Sequence, residues 1–354
     1  MDKTDIRQLS YQEFSRYAVS IGERQFRARQ IFDWIYKKGV NEFSSMRNLP
    51  SGLIQRLKKD FSFSSPVIEQ KQVSKDKTIK VLFRLQDGER VESVLIPSSA
   101  RQTVCVSTQA GCRFGCCFCA SRINGWKRNL SCAEIISQIL FMASIARQKK
   151  ITHIVFMGVG EPLDNYDNLM KSIGIINSNE GLMIAARRIT VSTCGLVPQI
   201  KRLAEESRQI ELSVSLHSPD DRIRSKLMPV NKKYPLAELM AACREYVLKR
   251  RRQITFEYLL IRNLTCTPTA AKKLGRLIKG MLCKVNLINY NIIPGLDFMP
   301  ASRDDINAFK EGLSHYGIHF TLRRPRGRDI SAACGQLRNA SRIIVATEKS
   351  LSYK

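Results

Sequence analysis

From residue 103 onward the apolar positions alternate between two kinds of segment. Short β-rich runs at 103–108, 151–157, 188–193, 210–216, 253–261 and 284–292 read as strands. Stretches near 131–147, 166–178, 197–207, 235–250, 267–282 and 302–316 read as helices. Pro198, Pro235 and Pro268 each stand near a predicted helix start, where a missing N–H costs nothing. Such alternation predicts a parallel sheet with crossover helices. Six units fall short of the eight of a closed barrel, so the expected fold is α/β, a partial (β/α)6 TIM-like barrel. Its ligands are expected at the carboxyl ends of the strands.

Two smaller segments precede this pattern. In 25–60, Ile31, Trp34 and Ile35 recur at helical spacing, as do Leu53 and Leu57, which predicts a small helical accessory domain over 1–62. In 78–97, TIKVLFRLQDGERVESVLIP, two β-rich runs flank Asp87-Gly88, a hairpin signal, so 63–102 is expected to be a β-hairpin extension. The barrel core is then expected over 103–345.

Charge adds a partner to this picture. Lys and Arg number 58 against 31 Asp and Glu, a formal net charge of +27. That excess points to an anionic partner, with nucleic acid ahead of mere solubility. The basic runs Lys249–Arg252 and Arg323–Arg326 suit phosphates, or equally a solvated helix or loop end. No apolar run is long enough to span a membrane, and the first residues lack a secretory pattern, so a cytoplasmic protein is expected.

The eleven cysteines are an odd number in a long chain, which argues against a disulfide scaffold. Four crowd into Cys112–Cys119, on a loop after the first strand of the alternating region. Gly111 and Gly115 let that loop turn tightly. Three thiolates at the x3, x2 spacing of Cys112, Cys116 and Cys119 suit three irons of a cubane and leave the fourth without a protein ligand. A zinc ion is the competing reading, but zinc favours four ligands, often as separated pairs. Packing alone is the weakest explanation for such crowding.

Cys-x3-Cys-x2-Cys at this place resembles the radical S-adenosylmethionine (SAM) superfamily. The resemblance narrows to the RlmN/Cfr family of RNA adenine methyltransferases, closer to the dual-specificity RlmN branch. It is carried by CVSTQAGC (105–112), GWKRNL (125–130), MGVGEPL (157–163), SLHSP (215–219), KLMPVN (226–231) and RGRDISAACGQL (326–337), in family order over nearly the whole chain. Cys117 stands where the family more often has another residue, and Val159 where Met is common. Pro162 is similar to the C2-methylating branch; the C8 branch tends to carry Ala there.

The resemblance implies a radical SAM fold and a [4Fe–4S] cluster on Cys112, Cys116 and Cys119. It implies SAM contacts from Gly160, Glu161, Ser192, Ser215, Leu216, His217 and Asn291, the last placed on the sixth strand. It further implies that Cys334 is first methylated and that hydrogen abstraction from this S-methylcysteine gives a carbon radical. That radical adds to an adenine of 23S rRNA or tRNA, and Cys105 then helps to release the C2-methylated product. A Cys105–Cys334 disulfide remains, to be reduced again. Glu92 is implied as proton acceptor or adenine-binding group, although as a strand glutamate it belongs to a kind that mostly faces water. Implied partners are rRNA, tRNA and a reducing electron donor such as flavodoxin, with no membrane, and the chain is expected to be a monomer. C8 methylation and a non-enzymatic zinc-dependent RNA-binding module remain as alternatives. The target base must leave its stack to react, which favours loops and junctions.

Overall fold

The computed structural model describes residues 3–146, 150–292, 296–323, 326–327 and 329–330. Among them, ten strands form one sheet in simple sequential order. They are β1 (Val67–Val73), β2 (Ile79–Arg84), β3 (Arg90–Pro97), β4 (Gln102–Cys105), β5 (His153–Phe156), β6 (Ile189–Thr193), β7 (Glu211–Ser215), β8 (Ile254–Leu260), β9 (Cys283–Asn289) and β10 (Phe320–Leu322).

Neighbours from β4 to β10 pair in parallel. The six strands expected from the pattern are all present, and β10 adds a seventh. This strand is short and largely exposed, so it carries no apolar run for the sequence to display. β1, β2 and β3 pair antiparallel, and β3 joins β4 in the same sense. The expected hairpin is therefore three strands that continue the barrel sheet. β1 falls within the stretch expected to be strand, as a third strand beyond the two runs of the hairpin, and almost all its side chains are exposed. β1 and β10 are the two edges, so the barrel is open.

Helices cover the outer face: α4 (Cys132–Ile145), α5 (Tyr166–Asn177), α6 (Val197–Glu205), α7 (Asp221–Leu227), α8 (Leu236–Arg250), α9 (Pro268–Ile278) and α10 (Arg303–Ser314), numbered after three in the N-terminal segment. Their starts follow local rules. Ser131 and Ser302 build capping boxes with Glu134 and Asp305, and Pro198 and Pro268 occupy the first turns of α6 and α9. None is long and apolar enough to cross a membrane.

The N-terminal segment holds α1 (Tyr11–Ser20), α2 (Phe26–Phe32) and α3 (Ser51–Asp60). Phe14, Phe32, Leu53, Leu57 and Phe61 meet in its interior, within one buried apolar cluster that runs on into the barrel. Burying such rings contributes roughly 1.5–3 kcal/mol each. Polar bridges fasten the segment to α4 and α5: Gln8 Oε1 accepts from Ala133 N at 3.1 Å, and Lys171 Nζ reaches Glu13 at 2.9 Å.

Candidate active site

β4 runs out into the cysteine loop, which a two-residue ladder closes: Gln109–Ala110 pairs antiparallel with Arg128–Asn129. Gly111 is required here. Its φ is +87°, and a Cβ would stand 1.8 Å from Gly125 O. Cys112, Cys116 and Cys119 are all half-buried on this loop. Cys117 has a place the sequence did not reveal. Its N–H donates to Leu227 O at 2.8 Å and its Sγ lies 3.1 Å from Lys226 O, so it ties the loop to the end of α7.

Two thiols of this loop, Cys112 and Cys116, are not poised as anions. Burial pushes Cys112 up to about 12, with only a backbone contact at Phe114 opposing and Cys119, Glu161 and Asp164 adding to the rise. Burial drives Cys116 well above the ordinary thiol value, and the neighbouring Cys119, Cys112 and Glu161 push the same way. Cys112 and Cys116, buried and crowded by their neighbours, call for cationic metal to hold them as thiolates. Two hydroxyls of the same loop, Thr108 Oγ1 and Ser121 Oγ, are buried with no partner among the described residues. Both observations fit an iron–sulfur cluster bound here. No three His, Cys, Asp or Glu side chains among the described residues converge as a single ion would need. A cubane asks for something else, a separate iron for each thiolate.

The neighbouring strand ends supply the rest of the site. Gly160, after β5, has φ +103°, and a Cβ there would stand 2.5 Å from Gln109 Cβ, so only glycine lets this turn close on the cysteine loop. Glu161 follows, buried. Its Oε1 accepts from Leu163 N at 3.1 Å and its Oε2 from Cys194 N at 2.7 Å. Burial raises its carboxyl to about 7, while those N–H contacts oppose the rise. Ser192 donates to Phe156 O at 2.6 Å. Ser215 ends β7, and Leu216 N and His217 N both reach Glu257 O.

His217 is held as one neutral species. Burial lowers it to about 3, with Arg224 acting the same way. Its Nδ1 accepts from Leu259 N at 3.1 Å, so the proton is assigned to Nε2. Its φ is +54°, a left-handed conformation few non-glycine residues adopt. Its ring meets Phe118 of the cysteine loop edge-on at 4.6 Å. Asn291 departs from expectation: β9 ends at Asn289, and Asn291 lies two residues beyond it, exposed. Tyr290 turns inward there and takes the last buried position.

Glu92 also departs from the expectation that a strand glutamate faces water. It is buried on β3 and pairs with Lys80 Nζ at 2.8 Å; the lysine is fully buried on β2. The register explains this. Lys80 faces Val94, Val94 faces Cys105, and Leu82 faces Glu92. Lys80, Glu92 and Cys105 thus project from one face of the sheet, which joins two of the expected catalytic residues. The third, Cys334, lies outside the described residues. The chain leading to it is anchored: Asp329 accepts from Ser74 Oγ at 2.5 Å and Lys75 N at 2.9 Å, on the turn between β1 and β2.

Arg224 was not foreseen. It is fully buried on α7 and donates to Leu216 O, Ser215 O, Cys194 O and Asn231 Oδ1, clamping the ends of β6 and β7. Its only signal in the sequence was its place between SLHSP and KLMPVN. The two basic runs separate. Lys249–Arg252 precedes β8 and so lies at the opposite end of the barrel from the cysteines, while Arg323 follows β10 on the cysteine side.

Known proteins resemble the chain along nearly its whole length. The Radical SAM superfamily model matches residues 106–265, and the model described as ribosomal RNA large subunit methyltransferase N-terminal domain matches 4–62. A probable dual-specificity RNA methyltransferase RlmN of Clostridium tetani is 47% identical over 93% of this chain and 94% of its own. Its counterpart in Staphylococcus carnosus is 45% identical over 97% and 95%. The crystal structure of a radical SAM methyltransferase from Sphaerobacter thermophilus superposes with a TM-score of 0.91 at 43% identity, covering 94% of this chain and 98% of that one.

Proposed function

This chain belongs to the RlmN family of radical SAM methyltransferases, and on that premise we propose that it methylates C2 of an adenine in 23S rRNA and in tRNA. The observation that carries the reading is the loop of Cys112, Cys116 and Cys119 at the carboxyl end of β4, with Glu161 and His217 at the neighbouring strand ends. When bound there, a [4Fe–4S] cluster and SAM supply one-electron chemistry strong enough to act on an unactivated C–H bond.

The residues around the loop divide the remaining tasks. Gly160 gives backbone access, and Glu161 has lone pairs left to accept from the SAM ammonium. His217 offers its Nε2–H as a neutral donor. Ser192, Ser215, Leu216 and Asn291 complete the set assigned to SAM. Cys334 carries the methyl-derived carbon to the RNA, Cys105 helps to release the product, and the two finish as a disulfide that a reductant reopens. Glu92, buried beside Cys105 on the same sheet face, takes up the C2 proton or holds the adenine. Pro162 supports C2 over C8.

The test is anaerobic incubation of the iron-loaded protein with SAM, reductant and RNA, followed by nucleoside mass analysis. 2-Methyladenosine is expected. 8-Methyladenosine would move the chain to the other branch, and a zinc-loaded protein that leaves RNA unmodified would leave only an RNA-binding module.

A further inference from the structure

The outer side of the cysteine loop carries an exposed ridge that the proposed reaction does not use. After Cys119 the chain makes one short turn, with Arg122 N donating to Cys119 O and Ile123 N to Ala120 O. It then runs exposed through Gly125, Trp126 and Lys127. Ile123 is 58% exposed and Trp126 38%. Arg113 lies over the Trp126 ring at 4.0 Å. Asp164 balances Arg113 at 3.0 Å, but among the described residues no ion pair involves Arg122 or Lys127. Two apolar side chains thus sit among cations, four and seven residues along the chain from the cluster ligand Cys119.

We propose that this ridge of Arg113, Arg122, Ile123, Trp126 and Lys127 is the docking surface for an acidic one-electron donor protein. The inference rests on the reading of Cys112, Cys116 and Cys119 as cluster ligands. One electron leaves the donor, oxidised by one equivalent, and enters the cluster, reduced from 2+ to 1+; no atom crosses. Electron transfer weakens steeply with distance, so a donor must settle on the loop itself. Weak redox encounters use small interfaces, with an apolar centre for contact and a charged rim for steering. An exposed isoleucine suits that use better than an RNA surface, where stacking and phosphate contact dominate. The loop is also held firm from behind, by Cys117 against Leu227 and Lys226.

The experiment uses the anaerobic, cluster-loaded full chain, with cluster reduction followed by its loss of visible absorbance. Reduced flavodoxin, an acidic protein, is the donor, and reduced methyl viologen is the small-molecule comparison. The double substitution Arg122→Glu/Lys127→Glu is set against Lys272→Glu/Arg276→Glu on the exposed side of α9, which changes net charge equally. The ridge pair should slow reduction by flavodoxin about tenfold or more at low salt, the α9 pair far less, and neither should slow reduction by viologen. Arg122→Gln/Lys127→Gln should fall between. Equal effects of the ridge and α9 pairs on the flavodoxin rate would overturn the assignment. If the ridge pair also weakened RNA binding more than the α9 pair did, the surface would belong to RNA. A protein that takes up no reducible cluster would overturn the functional reading together with the surface.

Discussion

The two ends of the barrel handle charge in opposite ways. At the amino end, two of the four cations in Lys249–Arg252 are met by carboxylates at the surface. Lys249 pairs with Glu205 and Glu245, and Arg252 with Glu211. Arg250 donates to Ser207 O and Arg208 O, and Arg251 closes α8 in a left-handed cap. At the carboxyl end two charged groups, Glu161 and Arg224, are out of water and are met chiefly by backbone. Glu161 takes two N–H groups, and Arg224 takes three carbonyls. Surface pairs of the first kind contribute little, whereas a buried charge persists only if neutral dipoles are arranged around it. The run Lys249–Arg252 therefore marks the end away from the cysteines, whereas the buried Glu161 and Arg224 mark the site.

Removing a thiolate from the cysteine loop should have the largest effect. Cys112→Ala should abolish iron retention and reduce methylation to background, measured by iron and sulfide analysis beside nucleoside mass. A variant that kept both its iron and its turnover would contradict the assignment of the loop.

Next is the clamp. Arg224→Met keeps the bulk of the side chain but removes the guanidinium from Ser215 O, Cys194 O and Asn231 Oδ1, while Leu216 O keeps its bond from Ser218 N. With each orphaned buried group costing about 1–3 kcal/mol, the loss in stability should be roughly 3 kcal/mol or more. Denaturant unfolding of the variant reads it directly. A change below about 1 kcal/mol would mean the strand ends do not depend on the guanidinium.

These two residues also divide what the sequence displayed from what it hid. Cys112 belongs to a dense pattern with its own chemistry, and the six main strands announce themselves as apolar runs between helical stretches. Arg224 is one arginine among many, because burial against carbonyls leaves no trace in composition. Glu92 is similar. Its pairing with Lys80 depends on the register between β2 and β3, which neither strand encodes alone. β10 stayed hidden because three residues, Phe320–Leu322, make too short a run to stand out. Cys334 was singled out by its motif and lies outside the described residues.

The pH response of Glu161 sharpens the comparison further. Its carboxyl, raised to about 7 by burial, is partly protonated near neutrality. A bound ammonium favours the ionised form. SAM affinity should therefore be greatest above about pH 7 and weaken as pH falls through it, by up to roughly tenfold per unit. Glu161→Gln should lower the affinity and flatten the profile. Equilibrium dialysis with labelled SAM over the pH range gives both; a wild-type profile already flat would show that Glu161 does not meet the ammonium.

The smallest effect is expected at the amino end. Lys249→Ala/Arg252→Ala removes two cations that already have carboxylate partners, at the end of the barrel away from the cysteines. Stability should change by no more than about 1 kcal/mol. RNA binding offers the finer reading, because each phosphate contact adds close to one unit to the slope of log affinity against log salt. The slope should be the same in the variant as in the parent. Should it fall by about two, both side chains touch phosphate and the RNA wraps past the barrel to its far end. The amino end would then be part of the RNA surface, and its ion pairs would have to open whenever RNA binds.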